Sequence, residues 1–190
     1  VTKGGVARPG EIMFRPFYSL HHRRTAPYID RYTEESWQAA EAARKAEEQR
    51  KQALELKTVD FLKLGDPESE RTRNIQGEKT TSGSSNGSWR HATDGGWFSF
   101  DLKSDPNAEL ELILTLWGSD GGGREFDILV DGKVLKTMKL ERPFPGRFFD
   151  ETLTLPLDLT KGKEKVTVKL QAKPGMMAGG LYGARLVRKS

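Results

Sequence analysis

Glu109–Leu140 reads ELELILTLWGSDGGGREFDILVDGKVLKTMKL, and its periodicity decides the fold class. Leu110, Leu112, Leu114 and Leu116 recur at every second position, with Glu109, Glu111 and Thr115 between them, the pattern of a strand buried on one face. Ile113 interrupts the polar face. After Trp117 comes Gly-Ser-Asp-Gly-Gly-Gly, too flexible to continue a strand. Phe126, Ile128 and Val130 then alternate up to Asp131-Gly132, a pair favoured in type I′ hairpin turns because both central residues need positive φ. Val134, Lys136 and Met138 carry the return strand. Three antiparallel strands with one apolar face are not stable alone, so a second sheet must cover them.

Outward from this stretch the alternation recurs. Downstream, residues 142–147 read as a Pro-Gly loop, 152–159 as a strand and 160–163 as a turn. Val166, Val168 and Leu170 mark another strand, 174–180 a turn, and Leu181 to Val187 the closing strand. Upstream, 58–64 reads as a short strand with Val59 and Phe61 inward and Leu64 a further inward candidate. Residues 65–86 read as polar and turn-rich, the Ser-Gly-Ser-Ser-Asn-Gly run marking a loop. Two aromatic clusters come next, Trp89 with His91 and then Trp97-Phe98-Ser99-Phe100, separated by Asp94-Gly95-Gly96, and 97–102 reads as a strand. Short strands with turn signals between them predict a mainly β domain, a jelly-roll-type antiparallel β-sandwich over residues 58–190. There is no internal repeat.

Before the sandwich, Thr33 reads as an N-cap with Glu34 and Glu35 in the first turn. The subsequent run of Ala, Glu, Lys, Arg and Gln predicts one long, largely exposed α-helix over residues 33–57. Glu41–Lys45 and Glu47–Lys51 stand four apart and support it. Heptads are not sustained, which favours a connecting helix over a coiled coil. Residues 1–32 are aromatic beyond the needs of a linker. Phe14, Phe17, Tyr18 and Tyr28, with Pro16 and Pro27, suggest edge strands left from a preceding β-sandwich, or an extended segment that docks on the downstream domain.

The 190 residues are 35% hydrophobic, and the mean hydropathy of -0.65 is lean for a single packed core. A net charge of +4 is spread among interspersed acids and bases, with no basic stripe beyond His21-His22-Arg23-Arg24, so nucleic acid is not an expected partner. No run approaches the roughly 20 apolar residues that span a bilayer. The chain has no cysteine, which removes disulfide and thiolate chemistry. No cofactor is called for, and a chain beginning at Val1 reads as a cut piece of a longer protein.

Several motifs stand in a familiar order: Ser69-Glu70, Ser88-Trp89-Arg90-His91-Ala92, Gly95-Gly96-Trp97-Phe98-Ser99-Phe100, Leu116-Trp117-Gly118-Ser119-Asp120, Phe126-Asp127-Ile128-Leu129-Val130-Asp131-Gly132 and Ala178-Gly179-Gly180-Leu181-Tyr182-Gly183-Ala184-Arg185. Together they resemble the C-terminal region of bacterial β-L-arabinofuranosidase-like glycoside hydrolases, a galactose-binding-like β-sandwich. Residues 16–24 resemble the end of the sandwich that comes after the catalytic barrel in those enzymes. The resemblance implies a non-catalytic accessory domain whose partner is a preceding catalytic domain of the same polypeptide, and a periplasmic or extracellular location. The family's zinc-held cysteine nucleophile has no counterpart here. Where a histidine commonly stands three residues after the Ser-Glu pair, this chain has Arg73.

Glycoside hydrolysis needs two carboxylates across a cleft, whereas the acids here fall on outward strand positions or in turns. His21 and His22 would point to opposite faces of a strand and cannot share a metal. No nucleophile elbow is present. No catalytic residue and no metal ligand is therefore assigned. Sugar binding by aromatic faces and hydroxyl-bonding side chains fits better, and the candidates near loops and strand ends are Trp89, Arg90, His91, Asp94, Trp97, Trp117, Asp120 and Tyr182. Trp97 and Trp117 also read as plugs at the ends of the sandwich. The function expected is an accessory domain of a glycoside hydrolase acting on arabinose-containing plant polysaccharide, structural and in part glycan-binding. The alternatives are an autonomous carbohydrate-binding module or a purely structural, oligomerising domain.

Overall fold

The computed structural model describes residues 33–189. Residues 1–32 lie outside the described residues, and with them the expected edge strands, the 16–24 motif and the His21-His22 pair. The chain divides into two units at Glu55–Leu56.

Helix α1 (Glu34–Lys57), all but its last two residues in the first unit, starts from its cap: Thr33 Oγ1 accepts from the Ser36 N–H at 3.2 Å. Glu41–Lys45 (3.3 Å) and Glu47–Lys51 (3.8 Å) pair along its surface, and none of its residues is buried.

The second unit is a β-sandwich. Its strands are β1 (Thr58–Lys63), β2 (Gln76–Ser84), β3 (Ser88–Lys103), β4 (Leu110–Trp117), β5 (Arg124–Val130), β6 (Lys133–Leu140), β7 (Phe148–Leu155), β8 (Lys165–Ala172) and β9 (Ala178–Arg188), with single-turn helices α2 (Pro67–Glu70) and α3 (Leu157–Thr160). All ladders between these strands are antiparallel in one folded-over sheet ordered β6-β5-β8-β3-β9-β4-β7, with β1 added to β9 and β2 to β3. The fold-over lies within β3. Its first part, Arg90–Ala92, pairs with β9, and its second, Trp97–Lys103, pairs with β8. Between them Asp94 and Gly95 take positive φ (49° and 71°), so the two aromatic clusters belong to one bent strand rather than two elements. Apolar residues of both halves form one core, including Phe98, Phe100, Leu110 to Leu116 at alternate positions, Phe126, Ile128, Val168, Leu170 and Leu186.

The Glu109–Leu140 stretch is split between the halves. β4 lies between β9 and β7, whereas β5 lies between β8 and β6, so the glycine run 121–123 is a crossing between layers and not a link in a three-stranded meander. Residues 65–86, expected as loop, hold α2 and the nine-residue strand β2. That strand is exposed along most of its length and so shows no apolar alternation. Two bulges reverse expected faces. A register shift between Thr58 and Asp60 turns Phe61 outward (44% exposed) and Leu62 inward. A second shift, at Leu135, leaves Val134 outside while Met138 and Leu140 are buried. β7 starts at Phe148, ahead of the expected Thr152, and Pro156 diverts residues 157–160 into α3. β9 starts at Ala178, because 178–181 pair with the first part of β3.

Not every carboxylate is solvated surface. Asp60 is 7% exposed, held by the Arg73 guanidinium (Nη2 to Oδ1, 2.7 Å) and by the Lys103 N–H at 2.7 Å. Arg73, the departure from the family pattern, thus has a structural partner. Ser69 Oγ accepts from the Lys63 N–H, and Glu70 accepts from the Gly65 N–H and from Arg90.

Candidate carbohydrate pocket

The start of β3, the end of β4, the start of β5 and the first half of β9 meet at one end of the sandwich. Alternation places Leu116, Ala92 and Leu181 in the core, so their neighbours Trp117, His91 and Tyr182 stand on the opposite, solvent face. With Trp89, the β2–β3 turn residues Ser85 and Asn86, and Asp120, Arg124 and Gly180, they line a pocket of about 270 Å³.

Rings form the walls. The Trp89 and His91 centroids lie 4.7 Å apart, and Trp89 is anchored by an Nε1–H bond to Ser85 Oγ at 3.1 Å. Tyr182 donates its hydroxyl to the Ser85 carbonyl at 3.3 Å. Phe148 packs edge-on against both Trp117 and Tyr182, 4.8 Å from each centroid. An ion pair supplies the polar pole: Arg124 Nη2 lies 3.3 Å from Asp120 Oδ1, and Nη1 donates to the Gly179 carbonyl at 2.9 Å. Burial pushes the Asp120 carboxyl above its ordinary value, against the pull of Arg124. Burial, aided by the Arg124 charge, lowers the His91 imidazole, so it is neutral at neutral pH. Burial likewise raises the Tyr182 phenol. Rings around an adjacent donor and acceptor can cover the C–H face of a sugar and bond its hydroxyls.

Of the candidates named from sequence, Trp89, His91, Trp117, Asp120 and Tyr182 are brought together here. The other three are directed elsewhere. Arg90, one residue out of phase with Trp89 and His91, makes a bidentate pair with Glu70 (2.8 and 2.6 Å). Asp94 sits in the β3 bend, paired with Lys79 at 2.7 Å, and that hydrogen bond lowers its carboxyl. Trp97 lies under the Lys169 ammonium, 4.2 Å from the ring centroid, and neither it nor Trp117 belongs to the buried core. Sequence reasoning missed Ser85, Asn86, Arg124 and Gly180. Ser85 and Asn86 lie in the Ser-Gly-Ser-Ser-Asn-Gly run, which marks a loop but not what the loop faces. Arg124 reaches the site only because the glycine run folds it back toward Asp120.

Among the described residues no cluster of three or more His, Asp or Glu is placed to hold a metal ion, and no helix is long and apolar enough to cross a membrane. The chain is similar to a family 35 carbohydrate-binding module from Clostridium thermocellum (12% identity, 61% of this chain and 93% of that one, TM-score 0.44). It is also similar to the C-terminal CBM6 of a marine laminarinase from Zobellia galactanivorans (14%, 67% and 99%, 0.46). A third likeness is to an exo-beta-1,3-galactanase from Phanerochaete chrysosporium (11%, 66% of this chain but 28% of that one, 0.48). No curated protein matches the sequence. Residues 53–187 match the model of a family of unknown function, DUF6805, and the chain belongs to that family.

Proposed function

We propose that the sandwich is a non-catalytic, glycan-binding accessory domain of a larger glycoside hydrolase, and that its pocket holds a sugar. The parent enzyme named by the motif resemblance is β-L-arabinofuranosidase-like, acting on arabinose-containing plant polysaccharide. One observation carries the binding reading: aromatic rings from three strands and a partly buried Asp120–Arg124 pair converge on a single pocket on the solvent face. Trp89 and Trp117 offer faces for stacking, and Asp120 and Arg124 offer an acceptor and a donor for adjacent hydroxyls. Arg90, Asp94 and Trp97 have no part in it.

The test is calorimetric titration with plant arabinans, galactans and their oligosaccharides. A response in the millimolar range or tighter is expected, and Trp89→Ala should weaken it roughly tenfold or more while the urea transition stays cooperative. Silence across all sugars would leave only a structural role for the domain.

A further inference from the structure

We propose that Phe148 is a second stacking platform beside the pocket, so that the ligand is an oligosaccharide with one residue in the pocket and its neighbour over Phe148. This rests on the glycan reading above and goes beyond it in naming the length of the ligand and a residue outside the pocket lining.

Phe148 pairs in register with Trp117 at the start of β7, and its ring packs edge-on against Trp117 (64°) and Tyr182 (75°). Both of those rings line the pocket, whereas Phe148 does not. Within this aromatic cluster 42% of Phe148 stays exposed. The segment leading into it is fastened in place. The Gly118 N–H donates to the Arg147 carbonyl at 2.8 Å, the Phe144 N–H to the Gly118 carbonyl at 3.1 Å, and the Gly146 N–H to Ser119 Oγ at 2.8 Å. An exposed ring fixed beforehand loses little freedom when a ligand settles on it. The pocket itself, at about 270 Å³, is smaller than the roughly 300–1,000 Å³ of sites for drug-sized ligands and suits one sugar ring. A second ring linked to the first must leave the pocket, and the apolar surface continuous with the pocket wall is Phe148.

The experiment titrates the full chain with the methyl glycosides of arabinose, galactose, xylose and glucose and with the matching disaccharides, monitoring each by saturation-transfer NMR and calorimetry. The sugar that binds as a glycoside should bind roughly five- to tenfold tighter as its disaccharide. In Phe148→Ala and in Phe148→Leu, which keeps apolar bulk against Trp117 and Tyr182, that affinity ratio should fall to about one; in Phe148→Trp it should persist. A disaccharide no tighter than its glycoside in wild type, or a ratio unchanged in Phe148→Leu, overturns the platform while leaving the pocket reading intact. Absence of binding by every sugar, with Trp89→Ala indistinguishable from wild type, overturns the pocket reading and the platform with it.

Discussion

Gly83 pairs with Trp89 in the β2–β3 ladder, and a Cβ built on it would lie 2.4 Å from the indole Cζ2. The bare glycine is what lets the indole lie across β2 and reach Ser85. Gly180 does the same for the opposite wall, since its Cβ would come within 2.9 Å of Asp120 Oδ2. Gly83→Val should therefore push Trp89 out of the pocket, breaking its bond to Ser85 Oγ while leaving the Asp120–Arg124 pair untouched. Because β2 is an exposed edge strand, the cost in stability should stay below about 1 kcal/mol by urea unfolding. Tryptophan fluorescence should shift, and sugar affinity should fall roughly tenfold. An unshifted spectrum with full binding would show that the glycine is incidental. The rings of the pocket are legible in the sequence as aromatic residues beside loop signals. Arg90, Asp94 and Trp97 carry the same signal, and phase or the bend in β3 separates them. Arg90 is one residue out of step with its neighbours, and Trp97 lies beyond a bend that no single sequence reveals.

Strands buried on one face are legible wherever the ladder is regular. β4, β5 and β8 alternate without interruption, and their buried residues are those the period of two selects. A bulge adds one residue and inverts the faces beyond it, which is why Phe61 and Val134, inward by the period of two, stand outside. β2 is polar at almost every position and takes its order from pairing with β3, a long-range cause that local sequence does not carry. Within β3, Asp101 clamps strand to strand: it accepts from Thr167 Oγ1 (2.7 Å) and Lys165 Nζ (2.9 Å) on β8 and from Asn74 Nδ2 (3.3 Å) ahead of β2. Burial alone would raise its carboxyl, but the bonds from Lys165, Thr167 and Asn74 outweigh it and hold it below the ordinary 3.8. A carboxyl lowered on folding contributes stability that is fully present above its unfolded value and is lost as pH falls through the folded one. Asp101→Asn should thus cost about 1–2 kcal/mol near neutral pH. The difference from wild type should shrink as urea unfolding is repeated at pH values below 3.8. A difference constant with pH would mean that the carboxylate charge plays no part.

At the scale of the molecule, among the described residues every buried hydrophobic residue lies between Leu62 and Val187, and every described strand lies in the second unit. The family match begins at residue 53, close to the division at Glu55–Leu56. Helix α1 buries none of its residues and rests on a cap, helix-forming composition and surface ion pairs worth a few tenths of a kcal/mol each. Within the second unit the edge strands β6 and β7, which share no ladder, are linked by Lys136 Nζ and Glu151 Oε1 at 2.7 Å. A fragment of residues 56–190 should therefore fold alone, unfold in one cooperative urea transition within about 1 kcal/mol of the full chain, and keep the same sugar affinities. Loss of cooperativity, or a free energy lower by several kcal/mol, would show that residues 1–55 complete the core. Full stability with lost binding would instead show that they complete the pocket.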